Sequence, residues 1–402
     1  MIEILDRIWW IGIKDWSIRR FHGFEMSTHR GTTYNSYIIK DEKTVLVDTV
    51  WDVYADKFMN MLEEDVGISA IDMIVINHIE PDHGGSLGRL MEMRPELPIY
   101  CTKNGAEIIR RHFHKDWDFH IVATGDKINV GKYNLVFVEM QMIHWPDSMM
   151  TYVDGASLVL SNDAFGQHYA PVSLFNDEVD ACELYQEALK YYANILSPFT
   201  PLIMKKIDQV KALGLPIKMI APSHGVIWRR DPIQIIDKYY EWANTYSEDF
   251  TAVIYDTMYN STKAMAEAIA KGMEAEGVKC KLFNCATTDQ SDLLLEIFKA
   301  KGIVMGCCTV NNTVLRSIAG LLDEIKGHKF RGKAGAAFGS YGWSGEAGKI
   351  IAQDLNKAGF DVAQQPLQFR YRPSDEELGQ CISFGSEFAA RIHAMSGANT
   401  SR

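Results

Sequence analysis

No Cys-x-x-Cys pair occurs anywhere in the 402 residues, which excludes a built-in zinc ribbon or ferredoxin-type iron–sulfur site. The seven cysteines, Cys101, Cys182, Cys280, Cys285, Cys307, Cys308 and Cys381, form no regular framework, as expected for a reducing cytoplasm. Cys307 and Cys308 read as small buried residues at a strand end, with no thiol chemistry of their own. No run of about 18 apolar residues is present, so no membrane-spanning helix is expected. Acids at Glu3 and Asp6 interrupt the start of the chain where an export signal needs basic and then apolar residues, so no export is expected. Basic tracts are missing too. The net charge is -11 and the pairs Arg19-Arg20, Arg110-Arg111 and Arg229-Arg230 are scattered, which argues against a nucleic-acid partner.

What the chain has is metal-binding side chains at the ends of strand-like runs. Residues 74–77 run into His78, 136–143 into His144, 158–162 into Asp163 and 218–223 into His224. The first run continues as His78-Ile79-Glu80-Pro81-Asp82-His83, so the set amounts to four imidazoles and three carboxylates, enough for two metal ions. Period-two spacing predicts His78 and Glu80 on one side of an extended strand end, with Asp82 and His83 beyond Pro81 at a helix entry. A lone histidine at a strand end is more often simply hydrogen-bonded than a ligand. Two acids and two imidazoles within six residues, however, are costly to bury without cations. The other histidines, His22, His29, His112, His114, His120, His168, His328 and His393, lack such spacing and most read as bystanders, with His22 a candidate to shape the pocket at the metals.

Zinc hydrolases with strand-end sites usually carry a third histidine where this chain has Glu80. The mixed imidazole and carboxylate set suits iron or manganese as well as zinc. Three carboxylates and a bridging hydroxide would balance two ferrous ions, which makes redox cycling electrostatically reasonable.

The length predicts two domains. Up to about residue 245 the pattern reads as a sheet-based sandwich with covering helices at 54–64, 86–93, 106–113, 183–196 and 233–246. The chain turns polar and acidic near 245–250, which places a boundary at 249/250 and domains at 1–249 and 250–396, with a flexible tail at 397–402. From Thr251 onward strands at 253–256, 279–285, 302–306, 333–338 and 361–364 alternate with helices. That alternation predicts a doubly wound five-stranded parallel sheet with its ligand crevice at the carboxyl ends of the strands.

Three loops should meet at that crevice. Thr257-Met258-Tyr259-Asn260-Ser261-Thr262 can wrap a phosphate at a helix N-terminus, and its lack of glycine disfavours a pyrophosphate, which points to FMN rather than NAD or FAD. Cys307-Cys308-Thr309-Val310-Asn311-Asn312 and Gly339-Ser340-Tyr341-Gly342-Trp343-Ser344-Gly345-Glu346 offer amides and aromatic faces to a flavin ring, with Tyr259, Tyr341 and Trp343 as candidates to stack on it.

Taken together, nearly the whole chain resembles the flavodiiron proteins, including the rubredoxin:oxygen oxidoreductases. These join a metallo-β-lactamase-like αββα sandwich to a flavodoxin-like domain. The family pattern His-x-Glu-x-Asp-His falls on His78, Glu80, Asp82 and His83, with later ligands at His144, Asp163 and His224. The resemblance implies one iron on His78, Glu80 and His144, a second on Asp82, His83 and His224, and Asp163 bridging them with a hydroxo or oxo group. In some members the histidine matching His83 swings away. Many relatives have Pro where this chain has Cys308.

The resemblance also implies the reaction and its partners. FMN takes electrons from a separate carrier, rubredoxin or another donor, and passes them to a diiron site that reduces O2 to water, NO to N2O, or both; two ferrous ions and a reduced flavin hold the four electrons O2 requires. A cytoplasmic head-to-tail homodimer, or a dimer of dimers, is expected. Two alternatives use the same scaffold: a zinc-dependent hydrolase of the metallo-β-lactamase type, and a non-catalytic gas-sensing or electron-transfer flavoprotein.

Overall fold

The structure, a computed structural model, describes residues 1–23 and 25–399. By contact density the chain divides into two compact units, Met1–Phe24 with Thr28–Asn244, and Glu25–Ser27 with Thr245–Arg402. The division falls ahead of the expected 249/250 because strand Glu248–Tyr255 already begins inside the polar stretch. Of the expected tail, 397–399 continue the helix Asp375–Asn399 and 400–402 lie outside the described residues.

The first unit is an αββα sandwich. One sheet runs Ile2–Leu5, Ile8–Asp15, Thr32–Lys40, Thr44–Val47, Met73–Val75, Ile99–Cys101 and Phe119–Ile121 in spatial order, antiparallel through its first four strands and parallel thereafter. The other runs Lys127–Asn129, Asn134–Glu139, Met149–Asp154 and Leu158–Asn162 antiparallel, and ends on Met219–Pro222, parallel to its neighbour. Tyr37, Val45 and Val75 from the first sheet close a single core with Leu135, Phe137 and Leu160 from the second. Full burial of a side chain such as Phe137 contributes about 1.5–3 kcal/mol. Alternate residues Met150, Val159 and Ile220 face the other way, toward helices Thr200–Ala212 and Ile233–Ala243.

Helix Thr200–Ala212 lies outside the helical stretches expected from the sequence. Pro198 and Pro201 each occupy the first turn of a helical segment, where the absent N–H has no partner to lose.

Strand Thr32–Lys40 is buried along nearly its whole length although its first half is polar. Its polar groups are satisfied across the sandwich. Asn35 Nδ2 donates to the carbonyls of Pro222 (2.9 Å) and Gly225 (3.0 Å), Asn35 Oδ1 accepts from Trp10 Nε1 (2.8 Å), and Tyr37 Oη donates to Pro222 (2.7 Å). These bonds fix the loop that follows Met219–Pro222 and therefore position His224.

The second unit is a parallel sheet in the order Cys280–Asn284, Glu248–Tyr255, Ala300–Gly306, Ala334–Tyr341, then Asp361–Val362. The fifth position is shared: Asp361–Val362 pairs with the start of Ala334–Tyr341, and Leu367–Arg370 pairs with its end. Pro366 separates the two pieces because it has no N–H to give a ladder and biases the residue before it. Strand Ala300–Gly306 is almost wholly buried, as required where helices cover both faces.

On one face, helices Ser261–Ala275 and Asp375–Asn399 approach so closely at Gly272 and Gly385 that no side chain fits at either point. A Cβ on Gly272 would lie 2.0 Å from the Ile382 carbonyl oxygen, and one on Gly385 would lie 2.1 Å from that of Ile269. Gly385→Ala is therefore expected to destabilise the second unit by about 1–3 kcal/mol in chemical denaturation. Gly379→Ala, in the same helix with open space around it, should be neutral or stabilising by up to ~1 kcal/mol.

Candidate diiron and flavin sites

Two of the strands that lead to the metal-binding side chains end sooner than their sequence suggests. Strand Met73–Val75 stops before His78, and Asn134–Glu139 stops before a loop that carries His144. His78 and Glu80 thus come together through a loop and the short helix Pro81–Gly84, not through strand periodicity. Buried side chains hold this loop. Asp48 Oδ1 accepts from the Asn77 N–H (2.7 Å), Thr49 donates twice to the His83 carbonyl (2.8 and 2.6 Å), and Asp147 Oδ2 accepts from the Ile79 N–H (2.9 Å). Asp48 and Asn162 both adopt positive φ (55° and 54°), a conformation that Asp and Asn tolerate better than most residues.

All seven predicted side chains converge. His78, Glu80, His144 and Asp163 form one group with donor atoms within 4.8 Å of one another, and Asp82, His83 and His224 form a second by the same measure. Asp163 faces both. Its Oδ1 lies 2.8 Å from His83 Nε2 and 3.8 Å from His224 Nε2, while its Oδ2 lies 3.2 Å from His144 Nε2 and 3.7 Å from His78 Nε2. His83 Nε2, Asp82 Oδ1 and Asp163 Oδ2 are buried without a hydrogen-bond partner. Buried polar atoms that meet without hydrogen-bond geometry are what ligands around cations look like, so the donor set fits two metal ions.

Two of the imidazoles have their other nitrogen occupied. His78 Nδ1 meets Asp147 Oδ2 at 3.0 Å, and His224 Nδ1 donates to the Thr33 carbonyl at 2.6 Å, leaving each Nε2 to face the carboxylates. Burial alone would strip the proton from His78, but Asp147, Glu80 and Asp163 outweigh it and hold the ring well above its usual pKa. Burial would likewise protonate Asp163, yet His83 and His144 keep it well below the carboxylate range. Metal ions would replace these protons as the compensating charge.

Two histidines outside the seven adjoin the cluster, His22, a candidate to shape its pocket, and His168, which read as a bystander. His22 Nε2 is 3.0 Å from Glu80 Oε1, and the His168 ring lies 4.9 Å from that of His224 with Nδ1 at 2.8 Å from Thr32 Oγ1. Both are distant in sequence from the residues they meet, so local spacing carried no signal. Asp147 was visible only as part of the His144-Trp145-Pro146-Asp147-Ser148 run. An open cleft of about 440 Å³, lined by Arg20, Phe21, His22, Trp51, Glu80 and Asp82 among others, leads to the cluster.

In the second unit a cleft of about 470 Å³ opens at the carboxyl ends of the strands. Thr257, Met258, Tyr259, Ser261, Cys308, Thr309, Val310, Asn311, Ser340, Tyr341, Gly342 and Trp343 line it. Asn260, Thr262, Asn312 and Gly345 do not. Asn260 caps helix Ser261–Ala275 in the left-handed conformation, Thr262 is buried against Ser340 (3.1 Å between hydroxyls), and Gly345 lies beneath Tyr341 and Gln368.

Tyr371 and Arg372, which sequence reading missed, complete the lining, because the second piece of the split fifth strand carries them there. The loops are tied together: the Thr309 N–H donates to the Ser340 carbonyl (2.9 Å), and Thr309 Oγ1 accepts from the Ala347 N–H (3.2 Å). Hydroxyls at a helix N-terminus, an aromatic rim and, among the described lining residues, no carboxylate fit a flavin mononucleotide.

Sequence profiles agree with both halves: the ODP family beta lactamase profile matches residues 32–225 and the flavodoxin profile residues 253–385. An anaerobic nitric oxide reductase flavorubredoxin of Aeromonas hydrophila is 47% identical over 392 residues, covering 96% of this chain and 79% of that protein. The rubredoxin oxygen:oxidoreductase of Desulfovibrio gigas superposes with a TM-score of 0.95 at 36% identity, covering 98% of each chain. The flavodiiron protein of Giardia intestinalis does so at 0.93 and 30%, covering 99% of this chain and 98% of that one. A β-lactamase-like unit bearing a two-group donor cluster, joined to a flavodoxin unit, defines a flavin- and metal-dependent oxidoreductase. The chain belongs to the flavodiiron protein family, whose cofactors are FMN and a non-haem diiron centre.

Asp147 touches His78 and the backbone of Ile79 but lies outside both donor groups. Asp147→Asn is expected to weaken iron affinity about 10–100-fold in metal titrations while FMN content stays unchanged.

Proposed function

We propose that this chain reduces O2 to water, NO to N2O, or both, with electrons delivered by a separate rubredoxin-type donor. The observation that carries the reading is the placement of Asp163, one carboxylate oxygen toward each donor group, in a chain that also builds a flavin cleft. In this reading His78, Glu80 and His144 hold one iron, Asp82, His83 and His224 hold the other, and Asp163 is shared. The irons, when bound, supply gas binding and redox chemistry, and the flavin relays electrons to them.

The chain's own residues set the conditions for that chemistry. Glu80, Asp82 and Asp163 contribute three negative charges. Thr33 and Asp147 orient imidazoles, and His22 holds the outer oxygen of Glu80 at the mouth of the polar cleft. Thr257, Ser261 and Ser340 are proposed to meet the flavin phosphate side, and Tyr259, Tyr341 and Trp343 its ring.

The names of the relatives span both gases, one a nitric oxide reductase and one an oxygen oxidoreductase, so both belong to the proposal. Tyr259, Tyr371 and Trp343 are strongly exposed at the rim of the flavin cleft. A face of that kind supports a head-to-tail homodimer that covers it. Seven free cysteines, and among the described residues no helix long and apolar enough to cross a membrane, support a cytoplasmic setting. Hydrolysis is disfavoured by Glu80 and by the flavin unit.

Protein loaded with iron and FMN, reduced anaerobically and supplied with rubredoxin, should consume O2, NO or both; inertness toward both gases would overturn the reading. Asp163→Ala should lose most of its iron while FMN stays near the unaltered level. Two retained irons and full activity would refute the shared-ligand role.

A further inference from the structure

We propose that a second, apolar cavity behind the metal cluster is a holding site for the diatomic substrate. The inference rests on the gas-reductase reading above. The cavity, of about 230 Å³, lies between the outer face of the second sheet and helices Thr200–Ala212 and Ile233–Ala243. Met150, Val159, Ile207, Val210, Ile220 and Ile236 are representative of its lining. Lys211 is the one charged residue among the described lining, and its ammonium points away, 3.5 Å from Asp237 and over the Tyr240 ring. The pocket is partly open, with Ile233 and Lys211 exposed and Val210 half-exposed at its edge, but its lining offers little to hydrogen-bond water, and apolar cavities of about 150 Å³ take up xenon or benzene. O2 and NO are small, weakly polar molecules that prefer such a space to water.

Its position gives the cavity a role. Phe165 and Met140 line it, and each is rooted beside a proposed iron ligand. Phe165 belongs to the tight turn closed by the Gly166 N–H on the Asp163 carbonyl (3.0 Å), and its own N–H donates to Tyr239 Oη (2.9 Å). Its φ of +70° is a costly conformation for a bulky side chain, and costly backbone of this kind collects at functional sites. Met140 anchors the loop bearing His144, donating its N–H to the Ser148 carbonyl (2.7 Å) and accepting from Ile143 (2.9 Å). A single turn of chain therefore separates the apolar space from the donor cluster, whose other side meets the polar cleft at His22 and Glu80. In this arrangement gas is held on the apolar side, and protons and water exchange through the cleft beside His22 and Glu80.

The test uses the full protein loaded with iron and FMN. Xenon-pressurised crystals, or xenon NMR in solution, should place xenon among Val159, Val210 and Ile220. Val210→Phe, at a partly exposed position where folding is least at risk, should abolish that xenon signal. It should also raise KM for the gas by about threefold or more with kcat at saturating gas unchanged. Val159→Phe, filling the space from the sheet side, should do the same. Absence of xenon in the unaltered protein, or an unmoved KM in variants that have lost xenon, overturns the holding site while leaving the reductase reading intact. Xenon bound in a protein that consumes neither gas overturns both.

Discussion

The Asp163 carboxylate, shared between two groups of imidazoles and acids, is the constraint around which the first unit is organised. It is almost completely buried, as are His78, His83 and His224, and none of the three acids in the cluster is exposed. Removing an ion from water costs several kcal/mol even after the protein relaxes, so such a cluster persists only if each charge meets its complement. The surrounding structure supplies the geometry for this. Thr33 and Asp147 orient His224 and His78, and Asp48 with Thr49 pins the loop between them. The strand carrying Thr33 is polar and yet buried because its side chains tie down the loop of His224.

Most of this centre could be read from the sequence, for a definite reason. Ligands packed as His78-Ile79-Glu80-Pro81-Asp82-His83 leave a local signature, and Asp163 and His224 follow short apolar runs that do form strands. Harder to see were contacts made across the fold. His22, His168 and Thr33 meet the cluster from segments far from it in sequence, and no spacing rule connects them. The flavin cleft shows the same division. Loops that end strands were readable, whereas Tyr371 and Arg372 depend on the fifth strand resuming after Pro366. Helix Thr200–Ala212 went unread too, although Pro198 and Pro201 stand in the first turns of helical segments, where a residue that breaks a helix from within can begin one.

The two units use opposite chemistry for their ligands. In the first, buried acids and imidazoles face one another, with His22 and Asp147 at the edge of the group, a donor set that suits cations. The second has a cleft with hydroxyls, backbone amides and aromatic rings and, among the described lining residues, no carboxylate, which suits an anionic phosphate and a planar ring. Its loops are bonded to one another through Thr262, Ser340 and Thr309, so the cleft is largely formed in advance of its ligand.

Glu80 links the electrostatics to the kind of reaction. An imidazole at that position would leave two carboxylates among seven donors, a neutral-rich set suited to a metal-bound hydroxide; a carboxylate there raises the anionic count to three. With a bridging hydroxide, that count neutralises two ferrous ions and leaves a moderate positive charge on two ferric ions, so neither oxidation level carries a large uncompensated charge in a buried site. His22 then has a physical part to play. Sitting 3.0 Å from Glu80 Oε1, it steadies one of the two cluster carboxylates, Glu80 and Asp82, that line the open cleft.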